Sequence, residues 1–187
     1  AYGTGNHPVT YLVVDAIRGS LYLFLVGIIL YYSGAIVWRE RDAKMNAFFD
    51  ASPFPSWLPV ASNLLALSAT VFVVLLSAIA VGMGVQVMSG YPHFEGGVYA
   101  REFLAYDFLG FVVLILLSVA VHTLVNHKYL GYFLFLLLLV LLRFGPLALD
   151  INSHLLIFGS APDYIYSDLN RWKPFERGLF WFKAYWG

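Results

Sequence analysis

The chain has 187 residues, of which 60% are hydrophobic, 18% aromatic and only 12% Asp, Glu, Lys or Arg, against roughly 25% charged in an ordinary soluble domain. Eleven basic residues balance eleven acidic ones, so no basic face for nucleic acid is implied. Cysteine is absent, which excludes a disulfide framework and a thiolate metal site. These numbers describe an integral membrane chain.

The chain opens AYGTGNHP, without an initiator Met and without the basic start, short apolar run and small-residue cleavage site of a signal peptide. We therefore expect a piece of a longer protein. Four apolar stretches follow, approximately 11–37, 58–87, 103–125 and 129–149, each long enough for the ~20 residues of helix that cross a bilayer core. Runs such as FLFLLLLVLL do not alternate as barrel strands do. The expected fold is thus all-α, a polytopic membrane protein of four spans.

In the first span Asp15 and Arg18 lie one helical turn apart, the spacing of a self-satisfying pair. After it comes VWRERDAKMNAFFDASPFPSW. Read as a helix over 39–50, this segment gathers Met45, Phe48 and Phe49 on one face, spreads Arg41, Asp42, Lys44 and Asn46 around the rest, and stops at Pro53 and Pro55. Such a helix lies flat at the membrane surface, with Trp38 and Trp57 at the headgroup level on either side. From periodicity alone, a plain anchor for the loop is as good a reading as a contact for a partner.

The second span carries Ser62, Asn63, Ser68, Thr70, Ser77, Gly82 and Gly84, small or hydroxylated residues of the kind that let helices pack in lipid. That face is expected to meet protein. The stretch 88–102, with Pro92, Gly96 and Gly97, reads as a connector. Asp107 and Arg143 sit five or six residues inside the same ends of the third and fourth spans. Matched depth on antiparallel helices predicts an ion pair between them. His122 and His127 fall on different helical faces, unlike an i, i+4 metal pair, and His7, His93 and His154 are in separate loops. No metal or cofactor site is indicated.

Arg39, Arg41 and Lys44 in the first connection and His127 and Lys128 in the third mark those turns as cytoplasmic. Both ends of the chain then lie outside, although Arg171, Lys173, Arg177 and Lys183 of the final segment would by the same rule prefer the inside. That segment, 150–187, is expected to be irregular with short interfacial helices, and its aromatic end to open a further span.

The order of apolar span, charged elbow, Pro-containing turn and further span resembles the permease of ABC-2-type ABC exporters. The strings VWRERDAKMNAFFDASPFPSW, VNHKYLGYFLF, FGSAPDYIYSDLNRW and FWFKAYW look like a bacterial branch often fused to a C-terminal zinc aminopeptidase-like domain. The resemblance implies a multi-pass permease of the bacterial cytoplasmic membrane, acting as a dimer of permease halves with a separate cytoplasmic ABC ATPase. The four spans would be the second to fifth of six, and 39–50 would be the coupling helix. Arg39, Glu40, Arg41 and Asp42 would face the ATPase, with Phe48 and Phe49 seated against the spans. No G-x-x-x-x-G-K-[ST] or H-E-x-x-H occurs, so ATP hydrolysis is expected of a partner and no peptidase activity of this chain. The alternative is a structural or assembly subunit of a larger membrane complex, without transport.

Overall fold

A computed structural model of the chain describes residues 9–42, 57–91, 95–150 and 175–186, with the single positions 55, 153, 154 and 157. Among them are five helices and no strand: α1 (Thr10–Asp42), α2 (Trp57–Met88), α3 (Gly96–Leu124), α4 (Lys128–Ala148) and the shorter α5 (Glu176–Trp186). The first four are long and apolar enough to cross a membrane, and the chain is an all-helical, multi-pass membrane protein.

α1 continues without a break through Val37 to Asp42. No new helix begins at Arg39, because nothing in RERD interrupts the backbone ladder before the prolines. The remainder of the expected interfacial helix, 43–50, lies outside the described residues. At about 1.5 Å per residue the 33 residues of α1 span about 50 Å, well beyond a hydrocarbon core of about 30 Å.

α2 ends in a Schellman motif, in which the Tyr91 amide bonds the Gln86 carbonyl and the Gly90 amide bonds the Val87 carbonyl, both at 3.0 Å. Gly90 takes the left-handed conformation this requires, with φ +74°. α3 then starts at Gly96, earlier than the expected 103. The Glu95 carbonyl accepts the Val98 and Tyr99 amides, so a helical first turn forms on glycines that composition alone assigns to a loop.

Hydrogen bonds at each end give the topology. Thr10, Gln86 and Tyr99 meet at the start of α1, the end of α2 and the start of α3. Asp42 and Lys128 meet at the end of α1 and the start of α4. The helices therefore alternate in direction, and we call the two ends the Thr10 side and the Lys128 side. α1 and α3 pack on each other, and α2 and α4 each pack against both.

The core lies where α1, α2 and α3 meet. Leu25 and Ile29, Leu67, Val71 and Leu75, and Phe103 and Ile115 are all buried there. On α2 the buried face is Leu67, Val71, Leu75, Ala78, Gly82 and Gln86, one stripe at helical spacing. Of the small and hydroxyl-bearing residues expected to meet protein, Gly82 lies in this stripe, whereas Ser62, Thr70 and Ser77 do not. Ser62, Thr70 and Ser77 are exposed and donate instead to the carbonyls of Pro59, Ala66 and Val74 one turn back, which satisfies a hydroxyl in lipid without any neighbour. The outward face is apolar, with Leu23 75% and Leu65 71% exposed, as suits contact with lipid tails.

Candidate functional site

The chemistry of the chain concentrates on the seam between α1 and α3. Residues Ala100–Asp107 of α3 form a π-helix between α-helical turns, a geometry found mostly as short insertions at functional positions. Its effect here is specific. Glu102 and Asp107 are five residues apart, which on an α-helix at 3.6 residues per turn separates them by about 140°. In the i to i+5 ladder of a π-helix they come to one face instead, and both reach Arg18.

Arg18 Nη2 bonds Glu102 Oε2 at 2.5 Å and Nε bonds Asp107 Oδ2 at 2.9 Å, while Nη1 lies 3.7 Å from Asp15 Oδ1. The three contacts are unequal. The Asp15 side chain is 71% exposed, and a solvated i, i+3 pair is worth only a few tenths of a kcal/mol. The Glu102 side chain is 5% exposed, and an unpaired carboxylate at such a place costs several kcal/mol. Arg18 is therefore chiefly the counter-charge of Glu102 and Asp107.

The ion-pair candidates Asp15, Arg18, Asp107 and Arg143 are only partly brought together. Asp107 pairs with Arg18 rather than with Arg143, and among the described residues no ion pair or hydrogen bond reaches Arg143. Depth alone suits either arginine, and it is the Arg18 side chain that reaches the π segment and takes the contact. Arg143 is near all the same: Arg18, Asp107 and Arg143 line one cavity of about 420 Å³, together with Tyr106 and the apolar side chains of α1, α3 and α4. Glu102 is the functional candidate that reading the sequence missed, since it stands at the end of what looks like a loop.

Nearer the Thr10 end a second polar chain is fully buried. Tyr99 donates to Gln86 Oε1 at 3.0 Å, and Gln86 Nε2 donates to Thr10 Oγ1 at 3.1 Å. It fixes the relative heights of α1, α2 and α3.

Towards the Lys128 side the same seam changes character. The Ser33 and Ser118 hydroxyls are 2.5 Å apart. His122, fully buried, accepts from Trp38 Nε1 through Nδ1 at 3.4 Å, while its Nε2 has no partner among the described residues. The ring packs edge-on to Tyr132 with centroids 4.9 Å apart. The backbone of Gly131 lies so close that a Cβ there would sit 2.6 Å from Nδ1. His122 thus packs among Trp38, Tyr132 and Gly131.

The charged residues assigned by resemblance to an ATPase are divided. Arg41 donates to the carbonyls of Val125 and Thr123, both at 2.8 Å, and its guanidinium stands 4.7 Å from the Trp38 ring centre. It thus caps the C-terminus of α3, where the helix dipole favours a cation, with a cation–π contact in addition. Asp42 accepts from Lys128 at 3.0 Å. Both therefore have partners within this chain. Arg39 is exposed on the last turn of α1. For Glu40 only the helical backbone is described, and Phe48 and Phe49 lie outside the described residues.

No family model, no curated protein and no solved structure matches the chain.

Proposed function

We propose that the chain is part of the transmembrane subunit of an ATP-driven exporter of the ABC-2 type, with a separate cytoplasmic ATPase acting on its Lys128 side. One observation carries the reading beyond the sequence resemblance. A single unbroken helix, α1, joins the charged residues at its Lys128 end, Arg39 to Asp42, to an ion cluster held by a π segment within the bundle.

A helix transmits displacement along its axis because its backbone ladder resists compression, so a push at the end of α1 arrives at Arg18. There it meets Glu102 and Asp107, whose π-helical backbone is one hydrogen-bond register away from an α-helix. A second, α-helical register at the place where one arginine holds two carboxylates would make a two-state element of the kind that coupling requires. ATP binding and hydrolysis occur on the partner. This chain supplies the strut, the ion cluster and the cavity beside it.

A second reading, an assembly subunit without transport, is favoured by the engagement of Arg41 and Asp42 inside the chain, since those charges then brace α1 against the α3–α4 turn. Arg39 separates the two, because it is exposed at the end of α1 and exposed ion pairs contribute only about 0–1 kcal/mol to stability. In the coupling reading, Arg39→Glu in the intact protein leaves expression and detergent stability unchanged but reduces co-purification of the ATPase and ATP-dependent export. Unchanged association and export would transfer the chain to the assembly reading.

A further inference from the structure

α3 is anchored at two places with a wide turn between them. Near its start Tyr99, fully buried, donates to Gln86 and lays its ring on Gly82, where a Cβ would stand 2.9 Å from it. Further along, Ser118 meets Ser33 and His122 meets Trp38. Between these anchors the Phe108 amide reaches back five residues to the Phe103 carbonyl, one residue more than an α-helical turn closes.

The extra residue brings the anchors into line. Ser118 stands 19 residues after Tyr99, which on an α-helix is about 5.3 turns and would set the two about 100° apart around the axis, whereas 18 residues make about 5.0 turns. The wide turn takes up the spare residue, so that Tyr99 and the stripe of Phe111, Ile115, Ser118 and His122 are all buried in the bundle. Neither anchor fixes where within 100–107 the spare residue is taken up. Each step of the wide turn along the helix exchanges an i to i+5 hydrogen bond for an i to i+4 bond, which leaves no backbone group unpaired in the membrane. Each residue it passes swings by about 100°.

Phe103, Tyr106 and Asp107 stand on this segment and line the cavity of about 420 Å³, beside Tyr22 and Leu109, which are exposed on the outer surface of the bundle. We propose that the π segment is a gate on this cavity, worked by travel of the wide turn between the two anchors: Phe103, Tyr106 and Asp107 turn against α1 and α4 while both anchored parts of α3 stay in place. The gate rests on the two-state element of the coupling reading and gives it a moving part, but its motion needs no ATPase.

The chain has no cysteine, so the intact protein in detergent takes a trifluoromethyl label at one introduced cysteine at a time. Helix register shifts run on the μs–ms scale, which fluorine relaxation dispersion reads. A label on Tyr106→Cys is expected to exchange between two environments, and one on Val113→Cys, which lines the same cavity from the regular part of α3, to report a single environment. Leu104→Cys, on the same segment, takes the label if Tyr106→Cys does not fold. Deleting Ala105, which is exposed, removes the spare residue and leaves Glu102 and Asp107 four apart on one α-helical face. The deletion variant should fold and melt close to the parent, and the exchange should vanish. No exchange on the π segment of the parent, exchange that survives the deletion, equal exchange at Val113, or a deletion variant that does not fold would each overturn the gate. Exchange in a protein that supports no ATP-dependent export would uphold the gate and sink the exporter reading, and export without exchange would do the reverse.

Discussion

The two halves of the α1–α3 seam are built by different means. On the Thr10 side the helices are joined by ionised groups, with Arg18 against Glu102 and Asp107, on a backbone that leaves the α-helical register to make the contact. On the Lys128 side, short of the Arg41 cap at the end of α3, they are joined by close packing, Ser33 with Ser118 and Trp38 with His122, and α4 is pressed against them through Gly131. Charge pairs in a low-dielectric setting are costly to separate yet tolerate more than one geometry, whereas close packing has one arrangement and resists any other. The Thr10 half is therefore where contacts are expected to exchange, and the Lys128 half is where any shift of α1 against α3 has to displace close packing.

The largest effect should come from the charged half. Arg18→Met takes the guanidinium from the buried Glu102 carboxylate and is expected to cost about 3–5 kcal/mol, the usual loss when one partner of a buried pair is removed. Adding Glu102→Gln should restore a substantial part. Thermal unfolding in detergent reads both, and a single variant as stable as the parent would erase the distinction between the two halves.

A smaller loss is expected in the packed half. Gly131→Ala places a methyl 2.6 Å from His122 Nδ1, which should lower stability by about 1–3 kcal/mol through overpacking. Gly145→Ala on the same helix meets nothing within 4 Å, and it should be neutral or stabilising by up to about 1 kcal/mol, since alanine is the better helix former. Equal melting temperatures for the two variants would contradict close packing at Gly131. The smallest change belongs to the rim, where Lys128→Ala removes an ion pair whose side chains are 40% and 59% exposed. Less than about 1 kcal/mol is expected.

The spans are legible in the sequence because length and hydropathy are properties of each stretch by itself. Which face of each span packs is not, because these helices are apolar nearly all round and no polar side marks the outside. Ser62, Thr70 and Ser77 look like contact residues and prove to be satisfied by their own helix. The partner of Asp107 is hidden for a related reason: depth along a helix is readable, adjacency between helices is not, and Arg18 and Arg143 differ only in adjacency. Glu102 escapes notice because five residues put it on a different α-helical face from Asp107, and no composition signals a π-helix. The side shared by the end of α1 and Lys128 follows from the basic residues near both, as the clustering of Arg39, Arg41 and Lys128 leads one to expect.

If α1 is a strut that moves against α3, then fastening the two helices at mid-seam must stop export. The chain has no cysteine, and the Ser33 and Ser118 oxygens are 2.5 Å apart, close to the ~2 Å of a sulfur–sulfur bond. The decisive measurement is ATP-dependent export by the intact transporter in liposomes carrying Ser33→Cys and Ser118→Cys together, before oxidation, after oxidation and after reduction. The account predicts export that is lost on oxidation and regained on reduction, with each single variant unaffected. Undiminished export by the fully oxidised double variant would contradict it, because α1 and α3 would then be shown to work as one fixed body.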